Sequence, residues 1–233
     1  MHPDAPIQRP RLALFDLDHT LIPMDSDHGW GEFSIAMGWC DRAEFGRRND
    51  AFFADYQAGA LNVQDYVRFA TEVIVQRGAE AANAAHARFM QEVIAPAITP
   101  QALALVQSHL QAGDTVIITS ATNEFVTGPI AVAFGVQELI STELERDASG
   151  WFTGEIKGVP NMREGKVARM DAWLAARGLS WDTVESTFYS DSMNDVPLLE
   201  RVNHPVATNP DPRLRTLAQE RGWRVLDLFT ENT

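Results

Sequence analysis

Arg11-Leu12-Ala13-Leu14-Phe15-Asp16-Leu17-Asp18-His19-Thr20 is the stretch that decides the fold. Its first half is an apolar run that stops abruptly at Asp16, the pattern of a central parallel strand covered on both faces. The carboxyl end of such a strand is where an open α/β sheet forms its ligand crevice. Spacing alone says little: with 17 Asp among 233 residues, chance supplies about 1.2 pairs at i and i+2. Position singles out Asp16 and Asp18. The second such pair, Asp25/Asp27, reads as solvated loop carboxylates.

Working outward, similar runs recur at 115–119, 138–140, 187–189, 205–207 and 223–226. Between them lie helical patterns such as Leu103, Val106 and Leu110, or Val167, Met170 and Leu174. Strand and helix alternating in this way predict an α/β fold with a doubly wound, mostly parallel sheet. Residues 24–95 break the alternation. Trp30, Phe33 and Met37 have helical spacing, and Asp41 with Glu44 resembles a capping box ahead of Phe45, Phe52 and Tyr56. Gly59 ends that helix and Asn62 caps the next, which carries Val63, Tyr66, Val67, Ala70, Val73 and Ile74. A fourth pattern follows Gly78. Four helices without a strand read as a cap inserted into a core of residues 1–23 and 96–233, bounded by Pro23, Pro96 and Pro100. Glycines at 150, 154 and 158 among aromatic residues suggest a hairpin flap, and Pro3, Pro6 and Pro10 a loose arm.

The 32 acidic and 19 basic residues give a net charge of −13, which repels phosphate backbones and anionic headgroups. No nucleic-acid or membrane partner is therefore expected. One cysteine, Cys40, excludes an intramolecular disulfide and a cysteine zinc site. With no signal-peptide pattern and no apolar run near ~18 residues, a cytoplasmic protein is expected.

A second acidic motif, Tyr189-Ser190-Asp191-Ser192-Met193-Asn194-Asp195, also ends an apolar run. Carboxylates converging at strand ends repel one another unless a divalent cation lies between them, and an all-oxygen donor set suits Mg2+. Ile118-Thr119-Ser120-Ala121-Thr122-Asn123 ends a strand with a hydroxyl and opens a helix whose amides would face an anion. Arg163-Glu164-Gly165-Lys166 supplies cations for a bound phosphate. Only two of the 19 basic residues are lysines, so finding one at this place by chance is improbable.

In this order the four segments resemble the haloacid dehalogenase superfamily of phosphatases. The insertion after the first motif resembles the cap of its phosphoserine-phosphatase-like branch. The resemblance implies an Mg-dependent phosphomonoesterase with Asp16 as nucleophile and Asp18 as general acid/base. It implies phosphate binding by Ser120, Ala121, Lys166 and Asn194. Metal binding would fall to Asp16, the backbone carbonyl of Asp18, and Asp191, with Asp195 orienting a water. Dehalogenase relatives lack the second acid, so Asp18 favours phosphoryl chemistry.

In phosphoserine phosphatases a cap acid lies nine residues after the nucleophile, where Asp25 stands here. Their cap arginine follows a Gly-x-Leu-Asn stretch, here Gly59-Ala60-Leu61-Asn62, and matches Arg68, whose fork suits a carboxylate. Asp replaces Glu at that cap acid, and Ala121-Thr122 stand where two glycines are usual. Tyr189-Ser190-Asp191-Ser192 and Asp25-Ser26-Asp27-His28 look closer to a sister branch that includes histidinol-phosphate phosphatases. That substrate has an amine and no carboxylate, so Asp25 or Asp27 would matter and Arg68 would not. His19 and His28 read as surface or packing residues. The expected partner is a small phosphorylated metabolite, and the expected state a monomer or homodimer. A phosphomutase or a catalytically silent binding module on the same fold are the competing readings.

Overall fold

The first strand, β1 (Arg11–Phe15), sends Ala13 and Phe15 into one core and Leu12 and Leu14 into another, all four buried. Period-two alternation forces this, because each face of a central strand needs its own cover. The computed structural model describes residues 9–229, so of the predicted arm only Arg9 and Pro10 are described.

After β1 come α1 (Ser26–Ala36), α2 (Arg42–Ala58) and α3 (Val63–Phe89), then a π-helical turn at Met90–Ile94 and the short α4 (Ala95–Ala97). The core resumes with α5 (Pro100–Gln111), β2 (Thr115–Asn123), α6 (Glu124–Ala133) and β3 (Glu138–Thr142). A hairpin of β4 (Leu144–Arg146) and β5 (Phe152–Ile156) precedes α7 (Glu164–Ala175) and β6 (Glu185–Ser190). The chain closes with α8 (Val196–Leu199), β7 (His204–Thr208), α9 (Pro212–Arg221) and β8 (Arg224–Leu226).

The main sheet has the order β3-β2-β1-β6-β7-β8, with every pairing parallel. The chain winds outward from β1 in one direction, then returns to its other side at β6. This reversal opens a crevice at the carboxyl ends of β1, β2 and β6. Met170 and Leu174 of α7, with Leu198, Leu199, Leu214 and Ala218, cover the Leu12/Leu14 face. Ala102 and Val106 of α5, with Val126 and Ile130 of α6, cover the Phe15 face. The doubly wound α/β architecture is as expected.

Helices α1 to α3 lie between β1 and α5 with no strand among them, and α3 breaks at Gly78 (φ 76°, ψ 171°). Their ends follow from the sequence. Asp41 accepts from the Glu44 amide, Gly59 closes α2 in the left-handed conformation at φ 73°, and Asn62 accepts from the amides of Gln64 and Asp65. Pro96 was expected to bound the insertion as a helix break, but it sits inside α4, in the first turn, where a missing N–H costs nothing. Helical geometry continues through the π turn and breaks at Ile98 and Thr99, both extended, directly before Pro100 opens α5.

Trp30 of α1, 2% exposed, anchors the insertion to the core. Its ring meets Phe33, His86 and Phe89 within the insertion and Phe125 of α6 across the boundary. Burying one such aromatic contributes on the order of 2–3 kcal/mol. No single helix among the described residues is long and apolar enough to cross a membrane.

Candidate active site

At the end of β1 the Asp16 amide donates to the Tyr189 carbonyl at 2.9 Å, fixing the turn beside β6. The Asp16 side chain, 5% exposed, accepts from Lys166 Nζ at 2.9 Å. The same ammonium reaches Asp195 at 2.8 Å, and Asp195 also accepts from the Ser190 hydroxyl at 2.7 Å. Lys166 is 2% exposed, a burial tolerable for an ammonium only when anions surround it. The two carboxylates outweigh burial and raise its pKa. The other lysine, Lys157, is exposed and pairs with Glu143 at 3.3 Å beside the hairpin.

Lys166 enters the site because α7 starts unusually close to the chain before it. A Cβ on Gly165 would lie 2.2 Å from the Pro160 carbonyl oxygen, so only glycine fits. On the other side of Asp16, Thr20 bridges to the second acidic motif. Its hydroxyl donates to Asp191 Oδ1 at 2.9 Å and lies 3.4 Å from Asp16 Oδ2.

Asp18 is held by the Ser26 amide at 2.7 Å and the Thr122 hydroxyl at 3.0 Å. Burial, aided by the negative charge of Asp25, pushes its pKa up to about 6 despite those bonds. Strand β2 runs four residues beyond the predicted 115–119, with an irregular register past Thr119. Ser120 therefore precedes α6 by a turn of chain, and its hydroxyl accepts from the Thr122 amide at 3.1 Å. Ser120 and Ala121 line the same cavity as Asp16 and Asp18.

The far wall of that cavity comes from the helical insertion: Asp25, Asp27, His28, Asn49, Phe52, Phe53, Tyr56 and Tyr66. Asp25 caps α1 by accepting from the His28 amide at 2.8 Å. Asp27 corrects an expectation. Far from being a solvated loop carboxylate, it is 5% exposed and accepts from Asn123 Nδ2 at 3.3 Å and from the Tyr66 hydroxyl. Burial pushes its pKa up to about 7, over the opposing pull of Tyr66. His28 also lines the cavity and faces Asp50 at 3.0 Å, so it is more than packing. His19 has a left-handed backbone (φ 56°), and its carbonyl accepts from Asn209.

Two expected site residues stand elsewhere. Arg68 does not reach the cavity: its guanidinium, more than half exposed, forks onto Glu155 of β5 at 3.0–3.2 Å. Arg68 stands only two and one residues after Tyr66 and Val67, which do line the cavity, so helical rotation turns it to another face, toward the hairpin. Asn194 is at the rim, its Oδ1 accepting from Arg163 Nε at 3.2 Å and its Nδ2 donating to the Tyr56 carbonyl at 3.4 Å. Sequence reasoning missed Thr20, Thr122, Asn123, Tyr56 and Tyr66. Only the hydroxyl-rich Thr119-Ser120-Ala121-Thr122-Asn123 run gave any signal for the second and third.

A divalent cation fits this donor set. Asp16, Asp27 and Asp195 are buried and Asp18, Asp25 and Asp191 half-buried, while the one lysine there pairs only with Asp16 and Asp195, so negative charge is in excess. Burial and the neighbouring Asp16 push the Asp191 carboxyl well above its usual range, the mark of an uncompensated anion. No three His, Cys, Asp or Glu side chains among the described residues converge as a ready-made cage. Magnesium does not need one, because it keeps several waters and takes one or two carboxylates. Lys166 approaches both oxygens of Asp195, and Ser190 adds a further bond, whereas the lysine takes only Oδ1 of Asp16, so Asp16 through Oδ2 and Asp191 are the side chains for that role.

Residues 13–200 match the family model of the haloacid dehalogenase-like hydrolases. A histidinol-phosphatase of Neisseria meningitidis is 44% identical over 217 residues, covering 93% of this chain and 98% of that protein. The crystal structure of a Bordetella pertussis protein of unknown function superposes with a TM-score of 0.89 at 50% identity, covering 95% and 100% of the two chains. A substrate-bound phosphoserine phosphatase shares the fold at a TM-score of 0.65 and 16% identity, covering 94% and 93%. With its parallel sheet, acidic strand ends and buried lysine, the chain belongs to the haloacid dehalogenase-like hydrolases, as a phosphatase of that family.

Proposed function

We propose that this phosphatase hydrolyses a small amine-bearing phosphomonoester through an aspartyl-phosphate on Asp16, with residues 24–95 as a substrate-enclosing cap. The observation that carries the reading is the pairing of Asp16 with Lys166 at 2.9 Å beside Asp18, whose pKa is pushed up to about 6. Asp16 attacks phosphorus, the ester oxygen leaves with a proton from Asp18, and the pair is exchanged for a covalent acyl phosphate. Asp18, now ionised, takes a proton from the water that attacks phosphorus and frees Asp16. A carboxyl titrating near 6 suits both halves. Lys166 and the Ser120 hydroxyl hold the phosphate oxygens, and the ammonium stabilises charge as the bond breaks. Magnesium held by Asp16, Asp191 and the Asp18 carbonyl would supply Lewis-acid neutralisation of the phosphate when bound.

The cap wall favours histidinol phosphate over phosphoserine. Asp25 and Asp27 suit a protonated amine and the aromatic rings an imidazole, while no Arg or Lys stands on the cap wall among the described lining residues to receive a carboxylate. The 44% identical histidinol-phosphatase supports the same choice.

The deciding experiment measures phosphate release from histidinol phosphate, phosphoserine and p-nitrophenyl phosphate with magnesium. Asp16→Asn should lower each rate by at least about a thousandfold with an unchanged circular-dichroism spectrum. Retained activity in that variant would remove the nucleophile assignment, and failure to release stoichiometric phosphate would favour a mutase.

A further inference from the structure

We propose that Arg163 is a positioning residue that ties the end of α2 to Asn194, making cap closure and alignment of the phosphate-holding side of the site one event. The inference goes beyond the hydrolytic reading and depends on it only for its kinetic readout.

Arg163 has φ 52° and ψ −123°, a left-handed backbone that an arginine rarely adopts. Such an outlier costs on the order of tenfold or more in conformational population and persists only where the surroundings over-determine it. Ordinary capping does not account for it, because Arg163 stands directly before α7 and its side chain caps nothing there. The side chain leaves its own helix altogether. Nε donates to Asn194 Oδ1 at 3.2 Å, and the guanidinium passes so close to the end of α2 that a Cβ on Gly59 would meet Nη2 at 2.7 Å.

The end of α2 is held in the same manner by its neighbours. Asn194 Nδ2 donates to the Tyr56 carbonyl at 3.4 Å and Arg213 Nη2 to the Gln57 carbonyl at 3.3 Å. The last carbonyls of a helix need donors and attract cations, yet α2 has no basic residue in its last turn. The core provides both. The consequence reaches the chemistry from two sides: Tyr56 lines the cavity with Asp16 and Ser120, and Asn194 adjoins Asp195, which holds Lys166. Arg163 is three residues from Lys166 along the chain, so a displacement of α2 is transmitted to both.

The full chain serves for the test, as wild type, Arg163→Ala, Gly59→Ala and the double variant, with Arg163→Gly as a second truncation that relieves the backbone. Amide hydrogen exchange at 55–60 and steady-state kinetics with p-nitrophenyl phosphate and magnesium are read together. Arg163→Ala and Arg163→Gly should each speed exchange at the α2 end and lower kcat by about tenfold while KM changes by less than about threefold. Gly59→Ala should reproduce that pattern from the cap side; the strain of an alanine at φ 73° persists in the Arg163→Ala background, and only the part of the effect that passes through the guanidinium should be lost there. Unchanged exchange in both Arg163 variants, or faster exchange with kcat unchanged in both, would overturn the proposal. Should the wild type release no phosphate, the hydrolytic reading fails, and the exchange data alone decide the tie.

Discussion

Lys166 shows how one residue organises several others. Removing its charge as Lys166→Met leaves Asp16 and Asp195 buried without their cation, so unfolding in urea should show a loss of about 3–5 kcal/mol along with lost activity. Asp27 works in the opposite direction. Its pKa is near 3.9 in an unfolded chain and about 7 in the fold, so the folded state binds its proton more tightly. The stability this confers is full below about pH 3.9 and is lost as pH rises through 7. Asp27→Asn should therefore raise thermal stability at pH 8, by on the order of 2–4 kcal/mol, and leave it nearly unchanged at pH 3.5. The same variant should raise KM for histidinol phosphate. His86, buried against Trp30 and Phe125, titrates at about 4 in place of about 6.5, so its contribution is lost as pH falls between those values. Of these residues only Lys166 was legible beforehand, from the scarcity of lysine. Asp27 and His86 differ from surface residues by burial alone, which no local pattern encodes.

At the scale of elements, the sequence signals were turn chemistry and period. The caps at Asp41, Gly59 and Asn62 could be placed from residue type because each solves a local hydrogen-bonding problem. Asn62→Ala should cost about 1 kcal/mol in chemical denaturation, with kcat unaffected. Gly165→Ala tests the junction before α7. With a Cβ meeting the Pro160 carbonyl at 2.2 Å, the helix must shift, and both stability and phosphate release should fall. The extension of β2 to Asn123 was not legible, since Ser120-Ala121-Thr122 carries turn-forming residues that the β3 neighbour draws into the sheet. Arg68 was misplaced for a similar reason. Helical periodicity fixes which residues share a face with Tyr66, but not that the β4–β5 hairpin lies where Arg68 points. Its exposed ion pair with Glu155 should matter little: Arg68→Ala should change stability by under about 1 kcal/mol and leave histidinol-phosphate turnover intact.

On the scale of the whole molecule, function arises where two cores meet. The sheet delivers Asp16, Asp18, Ser120 and Asp191 from three strand ends, and the insertion closes over them with Asp25, Asp27, Tyr56 and Tyr66. The space left between them is about 40 Å³, room for about three waters. Chelation with EDTA should abolish phosphate release and magnesium should restore it. The net charge of −13, read at first as a bar to nucleic acid, also describes this site, where six buried or half-buried carboxylates stand with a single lysine, paired to two of them. By itself the sequence determined the doubly wound sheet, the helical insertion and the acidic strand ends, because apolar period and turn residues act through neighbours along the chain. Only the tertiary structure decided that Asp27 is buried, that Arg68 faces outward and that Arg163 reaches the end of α2. Those outcomes depend on which distant surfaces pack together, and the free energy of burying a charge is set by that packing and not by the residue's own neighbours in sequence.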